Sequence, residues 1–475
     1  MRLEQYSLTG GLTPEQIGLM KRRAIELVER VGLAVPHDGI LGLLRQHDGV
    51  KVEGQMVKFR PELVEKALRE ARYPLPEYYG KEWVISAGAH QPKMHDLDTG
   101  ALRHTTLKDL RELIKIGDAL NTVGSAPCVP LDVPIHLQEI QMHKVAWENS
   151  RRRANDMFEH DPKPNARIAE YIYEMAQVSG RWFSLGLYMV SPRSFDPPEL
   201  EIIYRFRDLG VPMWAGTMPI SGVNAPILEK AGILQAMFET LACLTMLNTI
   251  NRKGYNYIQV IDSFIVHPFD MKYSTFVYGS AEDARGTVDK LAIHKELGLP
   301  LVAKSLLTGA KQVDAQSAHE VGVYTMMAAL AGCRTFRCAG LLSSGELYSA
   351  EKLVVDHEIV QYIRRTLEPE EFSGETLLAE EIAAIKPGES FLEHPSTFKF
   401  YKSHYWDPPL FTHSNLGQWQ EMGSKSLYRL ANERAKKLLK EHSYQIEPEK
   451  KRELDRIFAV AQKDQELARS REVAV

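Results

Sequence analysis

The sequence predicts an α/β protein built around a (β/α)8 TIM barrel, with a helical extension before the barrel and a helical tail after it. Three observations predict it. From about Leu107, short β-rich runs alternate with longer amphipathic stretches, the pattern of consecutive parallel βα units. Seven such strands can be read, one short of a closed barrel. No Gly-x-Gly-x-x-Gly follows an early strand, which removes the main positive sign of an open dinucleotide-binding sheet. The expected division is 1–106 for the helical cap with short strands, 107–407 for the barrel, and 408–475 for the tail.

In chain order, Thr13-Pro14-Glu15-Gln16 supplies an N-cap and a first-turn proline, and Ile17, Met20, Ala24, Leu27 and Val28 follow at helical spacing. A second helix is expected over Ile40–Gln46. Pro61 opens a third, with Leu63, Val64, Ala67 and Leu68 as its apolar stripe. Val84–Ala87 and Lys93–Asp96 read as a short strand pair inside the cap. The barrel strands are Val123–Pro127, Ala154–Glu159, Phe183–Val190, Val211–Thr217, Tyr257–Asp262, Leu301–Lys304 and Thr335–Ala339, with an eighth placed around Ser390–His394. The helices between them are Arg111–Leu120, Ile135–Asn149, Ala166–Val178, Pro198–Asp208, Leu228–Asn248, Ala281–Leu297 and Ala315–Ala331. In the tail, Lys425–His442 carries Leu427, Leu430, Ala431, Ala435 and Leu438 on one face, which is expected to wrap the barrel. From about Lys463 the chain reads as too polar to pack firmly.

Composition narrows the function classes. With 58 Lys+Arg against 62 Asp+Glu the net charge is −4, so nucleic acid is not expected as the main partner. An apolar fraction of 44% with 25% charged residues is that of a chain that buries a large core. Cys128, Cys243, Cys333 and Cys338 form no paired framework, which fits a reducing cytosol. No apolar leader follows Met1, and Val323–Cys333, taken as a representative longest apolar stretch, falls short of the ~18 residues of a membrane span. A cytoplasmic protein without membrane contact is expected.

In a barrel the chemistry lies at the C-terminal strand ends. Reading these off gives Cys128 and Asp132; Asn155, Asp156 and Phe158; Tyr188, Met189 and Ser191; Trp214, Met218, Ser221 and Gly222. Gln259, Asp262, Ser263 and Phe264, then Lys304 and Ser305, then Ser343 to Glu346 and Tyr348 complete the set. It is rich in rings and methionine and poor in charge. Such a lining suits a cationic, partly apolar ligand such as a quaternary ammonium, because ring faces attract a cation that cannot donate a hydrogen bond. The plainer account is that these side chains plug the barrel.

Other motifs have plain structural readings. Cys333-Arg-Thr-Phe-Arg-Cys338 has no second pair spaced for zinc and reads as buried thiols. Lys304 stands where a Schiff-base lysine would, or in an ion pair inside the barrel. Arg151-Arg152-Arg153 reads as a solvated face or a dock for an acidic partner. Glu351, Asp356, His357 and Glu358 follow Ser349 as acids at a helix start do. No nucleophile elbow, Walker loop or metalloprotease helix is present, nor an Asp-x-His-x-x-Gly segment that would bind a corrinoid within this chain.

The segment Met218-Pro-Ile-Ser-Gly222-Val-Asn-Ala-Pro226, with Ala231-Gly232 and Glu239-Thr-Leu-Ala242, resembles the trimethylamine methyltransferase family in its non-pyrrolysine branch, which includes glycine betaine:corrinoid methyltransferases. The likeness continues through Phe269-Asp270-Met271, Tyr278-Gly279-Ser280-Ala281-Glu282, Lys311-Gln-Val-Asp314-Ala-Gln316 and Ala328-Ala-Leu-Ala-Gly332. It extends into Gly340-Leu-Leu-Ser-Ser-Gly345, Ser349-Ala-Glu351-Lys-Leu-Val-Val-Asp356-His-Glu358 and Phe391-Leu-Glu-His394. The resemblance implies a TIM barrel with no metal of its own. It also implies transfer of a methyl group from a quaternary amine to Co(I) of a corrinoid (cobalamin) on a separate small protein, in one-carbon metabolism of the methanogenic or acetogenic kind. Two departures stand out: Phe411-Thr-His413-Ser-Asn415-Leu-Gly417-Gln-Trp419, where many relatives carry an Asp-Arg pair, and Leu307-Thr-Gly-Ala before Lys311.

The expected cage is Tyr188, Trp214, Phe264 and Tyr348, with Phe158. Asn155, Gln259, Lys304 or His357 are expected to orient a substrate carboxylate. No residue is assigned a catalytic role, because in-line methyl transfer needs no general base. Trp214→Ala and Phe264→Ala are each expected to weaken cation binding by ~1–2 kcal/mol. Two alternatives stay open at this point: a Schiff-base lyase using Lys304, and a non-catalytic betaine-binding subunit. A homo-oligomer is expected.

Overall fold

The computed structural model describes residues 11–73, 82–88, 90–124, 127–151 and 165–473. The expected strand Ala154–Glu159, and with it Asn155 and Phe158, lies outside the described residues, as do Arg152 and Arg153.

The first helix, Pro14–Arg30, starts where its capping box dictates: Thr13 accepts from the Gln16 amide while the Gln16 side chain reaches back to the Thr13 N–H. Its buried face, including Ala24 and Val28, packs on the long helix Glu229–Ile250. Asp38–Leu44 and Pro61–Glu70 follow as helices. Between them Leu33–Ala34, Val50–Glu53 and Met56–Phe59 form an antiparallel sheet that the sequence pattern did not reveal, its strands being short and half exposed.

The centre is built of two blocks of parallel strands. In one, Leu185–Met189 pairs with Met213–Thr217, which pairs with Asn256–Ile258. In the other, Val302–Ala303 pairs with Thr335–Ala339, which pairs with Val84–Ala87. Ser86 then bridges in parallel to Val123, the first residue of an expected strand. Val84–Ala87 is therefore a central strand and not half of a pair within the cap. Lys93–His95 pairs antiparallel with Leu102–His104 and in parallel with Leu347–Tyr348. The expected strand at Ser390–His394 is instead a 3-10 turn, Phe391–Glu393, with no buried residue. In Val84–Ala87 the first three residues are buried in succession, as in a covered parallel strand.

The helices of the βα units agree with their expected positions: Leu107–Ala119, Ile135–Asn149, Ala166–Ser179, Pro197–Phe206, Glu229–Ile250, Ala281–Glu296 and Ala315–Leu330. Side-chain caps from Thr106, Asn165, Ser280 and Asp314 set several starts. Glu229–Ile250 is long and apolar enough to cross a membrane by composition, exceeding the Val323–Cys333 stretch. Most of it is buried against the Pro14–Arg30 helix and the Met213–Thr217 strand.

The tail closes the structure. Leu427–Glu441 packs on Ala350–Leu367 and Leu107–Ala119, and Pro448–Val473 packs on Ala166–Ser179 and Ile135–Asn149. Among the described residues the chain makes its last hydrogen bonds to other helices at Asp464 and Gln465, just past Lys463. Asp464 accepts from Tyr171 Oη at 3.0 Å and from Arg167 at 2.9 Å, and buried Gln465 accepts from Asn165 at 2.8 Å. Polarity at these two positions serves a bonded contact, and Glu466, Leu467, Ala468 and Ser470 beyond them are exposed.

Candidate active site

Two glycines make room for the ring pair on adjacent strands, where Tyr188 stands near the C-terminal end of Leu185–Met189 but Trp214, expected at a strand end, is the second residue of Met213–Thr217. Gly186 pairs in register with Trp214, and a Cβ on it would stand 2.0 Å from the indole. A Cβ on Gly216 would meet the Tyr188 ring at 2.9 Å. In the space so left, Tyr188 and Trp214 meet edge to face, centroids 4.9 Å apart at 83°. Trp214 is fully buried, and its Nε1 has no hydrogen-bond partner among the described residues.

A polar chain runs on from the tyrosine. Gln259 Nε2 donates to Tyr188 Oη at 2.9 Å, and Tyr188 Oη donates to Asp262 Oδ2 at 3.3 Å. The Gln259 carbonyl accepts from the amides of Ile261 and Asp262, which folds the loop that carries the acid. Lys304 Nζ lies 2.7 Å from Asp262 Oδ1 and 4.5 Å over the Tyr278 ring. His267 Nε2 lies 3.3 Å from the same Asp262 oxygen, off the direction of a hydrogen bond, and its ring meets Tyr278 edge-on at 5.2 Å. Tyr278 Oη donates to Met218 Sδ at 3.8 Å, and Met218 is partly open to solvent. Beneath, Lys290 donates to the Ile261 carbonyl at 2.9 Å and pins the loop from the helix side; burial pushes its amine down to about 8.

The charges of this group settle each other. Burial opposes ionisation of Asp262, yet Lys304 and His267 together hold its carboxyl below the usual carboxylate range. Burial also opposes the Lys304 charge, and Asp262 overrides it, raising the ammonium well above its ordinary value. Burial and the Lys304 charge push His267 down, against the pull of Asp262. Burial raises Tyr278. The result is a water-poor site with one internally neutralised ion pair, rings on two sides, and unbonded ring nitrogens on Trp214 and His267. A protonated, paired Lys304 is a poor carbonyl nucleophile.

Four residues expected at the site, Tyr188, Trp214, Gln259 and Lys304, thus meet in one contact chain through Asp262. Three others make no hydrogen bond or ring contact with that chain. Phe264, at φ +58°, sits in the core edge-on to His294 at 5.7 Å. Tyr348 is buried among Met94, Cys128 and Leu353, over Gly340, where a Cβ would approach its ring to 2.4 Å. His357 lies on the Ala350–Leu367 helix with Nε2 2.9 Å from Thr122 Oγ1, and burial pushes it down to about 4. Asp262 and Tyr278 were visible only as a strand-end acid and a motif tyrosine. The signal that joins them is Lys304, a strand-end cation that needs a counter-charge.

Flanking motifs serve the walls. Buried Glu239 accepts from Ser191 Oγ at 2.6 Å, Thr217 Oγ1 at 2.7 Å and the Arg193 amide at 3.1 Å, tying two strand ends together; burial raises its carboxyl. Glu320 holds Thr308 and Gly309, the departing loop before Lys311. His413 is exposed, and its neighbours Leu410 and Phe411 donate their amides to Glu358, so that departure lies on the outer surface. Cys333 donates to the Leu301 and Thr335 carbonyls. Arg151 binds Asp118 through its amide at 2.6 Å and its guanidinium at 2.9 Å, so it is a latch.

Two blocks of parallel strands flanked by helices, with a ring pair and a buried ion pair joined between neighbouring strands, define a protein of the α/β class. The chain belongs to the trimethylamine methyltransferase family: the family described as Trimethylamine methyltransferase (MTTB) matches residues 3–468. It is similar to trimethylamine methyltransferase MttB of Methanosarcina thermophila, 29% identical over 268 residues, 56% of this chain and 54% of that protein. The match thus spans about half the length of the first such relatives. It is also similar to trimethylamine methyltransferase MttB of Desulfitobacterium hafniense, 22% identical over 94% of this chain and 93% of that one. The L-carnitine:corrinoid methyltransferase of Eubacterium limosum is 20% identical over 82% of this chain and 84% of its own.

Proposed function

We propose that this protein is a cytosolic methyltransferase that takes one methyl group from a quaternary amine of the betaine type and passes it to the Co(I) corrinoid of a separate small protein. The observation that carries the reading is the Tyr188–Trp214 ring pair joined through Asp262 to Lys304. Rings bind the ammonium by their faces. Because Asp262 is already neutralised by Lys304, its carboxylate does not hold the ground-state cation and does not oppose loss of the substrate's charge in the transition state. Trp214 Nε1, unbonded among the described residues, is a free donor suited to the carboxylate of a betaine, which supports a zwitterion over trimethylamine itself.

The acceptor supplies the nucleophile: a carbon–cobalt bond forms as a carbon–nitrogen bond breaks, and the departing tertiary amine keeps the electron pair. No proton moves, so this chain's task is to orient the methyl group and exclude water. We read the two strand blocks as arcs of one closed (β/α)8 barrel. Val84–Ala87 would be its first strand and Val123 would begin the second. The protonated Lys304 disfavours the Schiff-base lyase.

The test is to mix the purified protein with cob(I)alamin and a panel of glycine betaine, carnitine, methylated prolines and trimethylamine, following cobalt methylation by absorbance. Methylation with a quaternary amine is expected. Silence with every amine, including after addition of a corrinoid protein, overturns the reading.

A further inference from the structure

Lys290 is a second buried cation beside the site, and the ion pair does not use it. It lies 1% exposed in the middle of the Ala281–Glu296 helix and, among the described residues, forms no salt bridge. Its ammonium donates to backbone instead, to the Ile261 carbonyl at 2.9 Å and the Val260 carbonyl at 3.4 Å. Those carbonyls belong to the loop that carries Asp262. The same helix reaches that loop again through His294, whose Nε2 lies 3.5 Å from Ser263 Oγ. On the other side of the loop, Gln259 and Asp262 both bond Tyr188 Oη, which leads to the ring pair. A hydrogen bond from a charged donor is roughly twice as strong as one from a neutral donor, so the charge on Lys290 sets how firmly the loop is held. That charge costs folding stability, because burial opposes it and no carboxylate bonds it. A methionine would fill similar space without that cost.

The groups facing this amine come from several elements. On its own helix, Asp283 accepts from the Gly279 amide and is raised by burial, and His294 is pushed down to about 3. The loop brings Asp262, held low, and the neighbouring strand end brings Lys304, held high. Burial raises the Cys333 thiol to about 12, and it raises Tyr324 of the Ala315–Leu330 helix, which bonds Thr287. Glu229 and Lys230 engage Arg285 and Asp289, and the buried face of Pro14–Arg30 is apolar. Lys290 itself, brought down to about 8, changes charge just above neutrality.

We infer that Lys290 is a positioning residue whose ammonium holds the 259–262 loop so that Asp262 stays between Tyr188 and Lys304, and that the site loosens when this charge is lost. The inference does not rest on the proposed reaction, and its test needs no amine. Trp214 emission, isolated by subtracting the spectrum of the same protein carrying Trp214→Phe, reads the ring pair between about pH 7 and pH 9.5. The wild-type signal is expected to shift with a midpoint near 8. Lys290→Gln, a neutral donor, should show the alkaline wild-type signal throughout, and Lys290→Met should show no midpoint. Urea unfolding separates positioning from structural support. At pH 7 Lys290→Met is expected to unfold at no lower urea concentration than wild type. Between about 8 and the ordinary 10.5 the unfolded chain keeps the proton that the folded chain has released, so wild-type stability should rise with pH relative to Lys290→Met. A wild-type signal that does not change over this range overturns the inference, as does a midpoint that survives in Lys290→Met. So does a Lys290→Met protein clearly less stable than wild type at pH 7.

Discussion

Lys304 Nζ stands 2.7 Å from Asp262 Oδ1 in the interior, each holding the other in its charged form. Removing one partner leaves the other charged and unpaired. Asp262→Asn is therefore expected to lower the unfolding free energy by about 3–5 kcal/mol. The double variant Asp262→Leu, Lys304→Met removes both charges and should recover most of that loss. Urea unfolding of the four proteins measures the coupling, and strictly additive losses would show that the pair is not one unit.

The rings separate by role. Trp214→Ala is expected to weaken binding of a quaternary ammonium by ~1–2 kcal/mol. Phe264→Ala, whose ring lies in the core against His294, should instead lower stability by about 3 kcal/mol or more and leave affinity unchanged. Titration calorimetry beside thermal melts decides this. Equal losses of affinity in both variants would return Phe264 to the cage.

Gly186→Ala tests the slot itself. With a Cβ 2.0 Å from the indole, Trp214 has to shift, and both its fluorescence and cation affinity should change. A variant with unaltered emission and affinity would mean that the indole is not held against this strand.

His357 gives a pH prediction. Its ordinary value is 6.5 and burial lowers it to about 4 in the folded chain, so the unfolded state binds the proton first. Stability from this group is fully present above 6.5 and is lost as pH falls toward 4, by on the order of 3 kcal/mol. His357→Gln should therefore lose less stability than wild type between pH 7 and pH 4. Parallel curves would show that the imidazole is not neutral in the fold.

The first helix was legible because its cap is local, Thr13 bonding the Gln16 amide, and the others were read from amphipathic spacing; Leu107–Ala119 starts before the expected Arg111 because its Thr106 cap was not read. The Leu185–Met189 and Met213–Thr217 strands were legible because covered parallel strands are continuously apolar. Val84–Ala87 was not assigned to the central sheet, since its partner is Thr335–Ala339, far away in sequence, and no local pattern encodes that pairing. At the site, the positions of Tyr188, Gln259 and Lys304 at strand ends were readable, but ring direction was not, and Trp214 lies at the second residue of its strand instead of its end. Phe264 turns into the core through a left-handed backbone that its residue type does not announce.

The most direct test of the central claim uses glycine betaine labelled with carbon-13 in its N-methyl groups, with the protein and a reduced corrinoid protein, and mass spectrometry of both products. The account predicts dimethylglycine and labelled methyl on the corrinoid in equal amounts, or the same result with a related betaine. Saturable binding of every betaine tried, with neither product formed, would contradict methyl transfer and leave a binding protein.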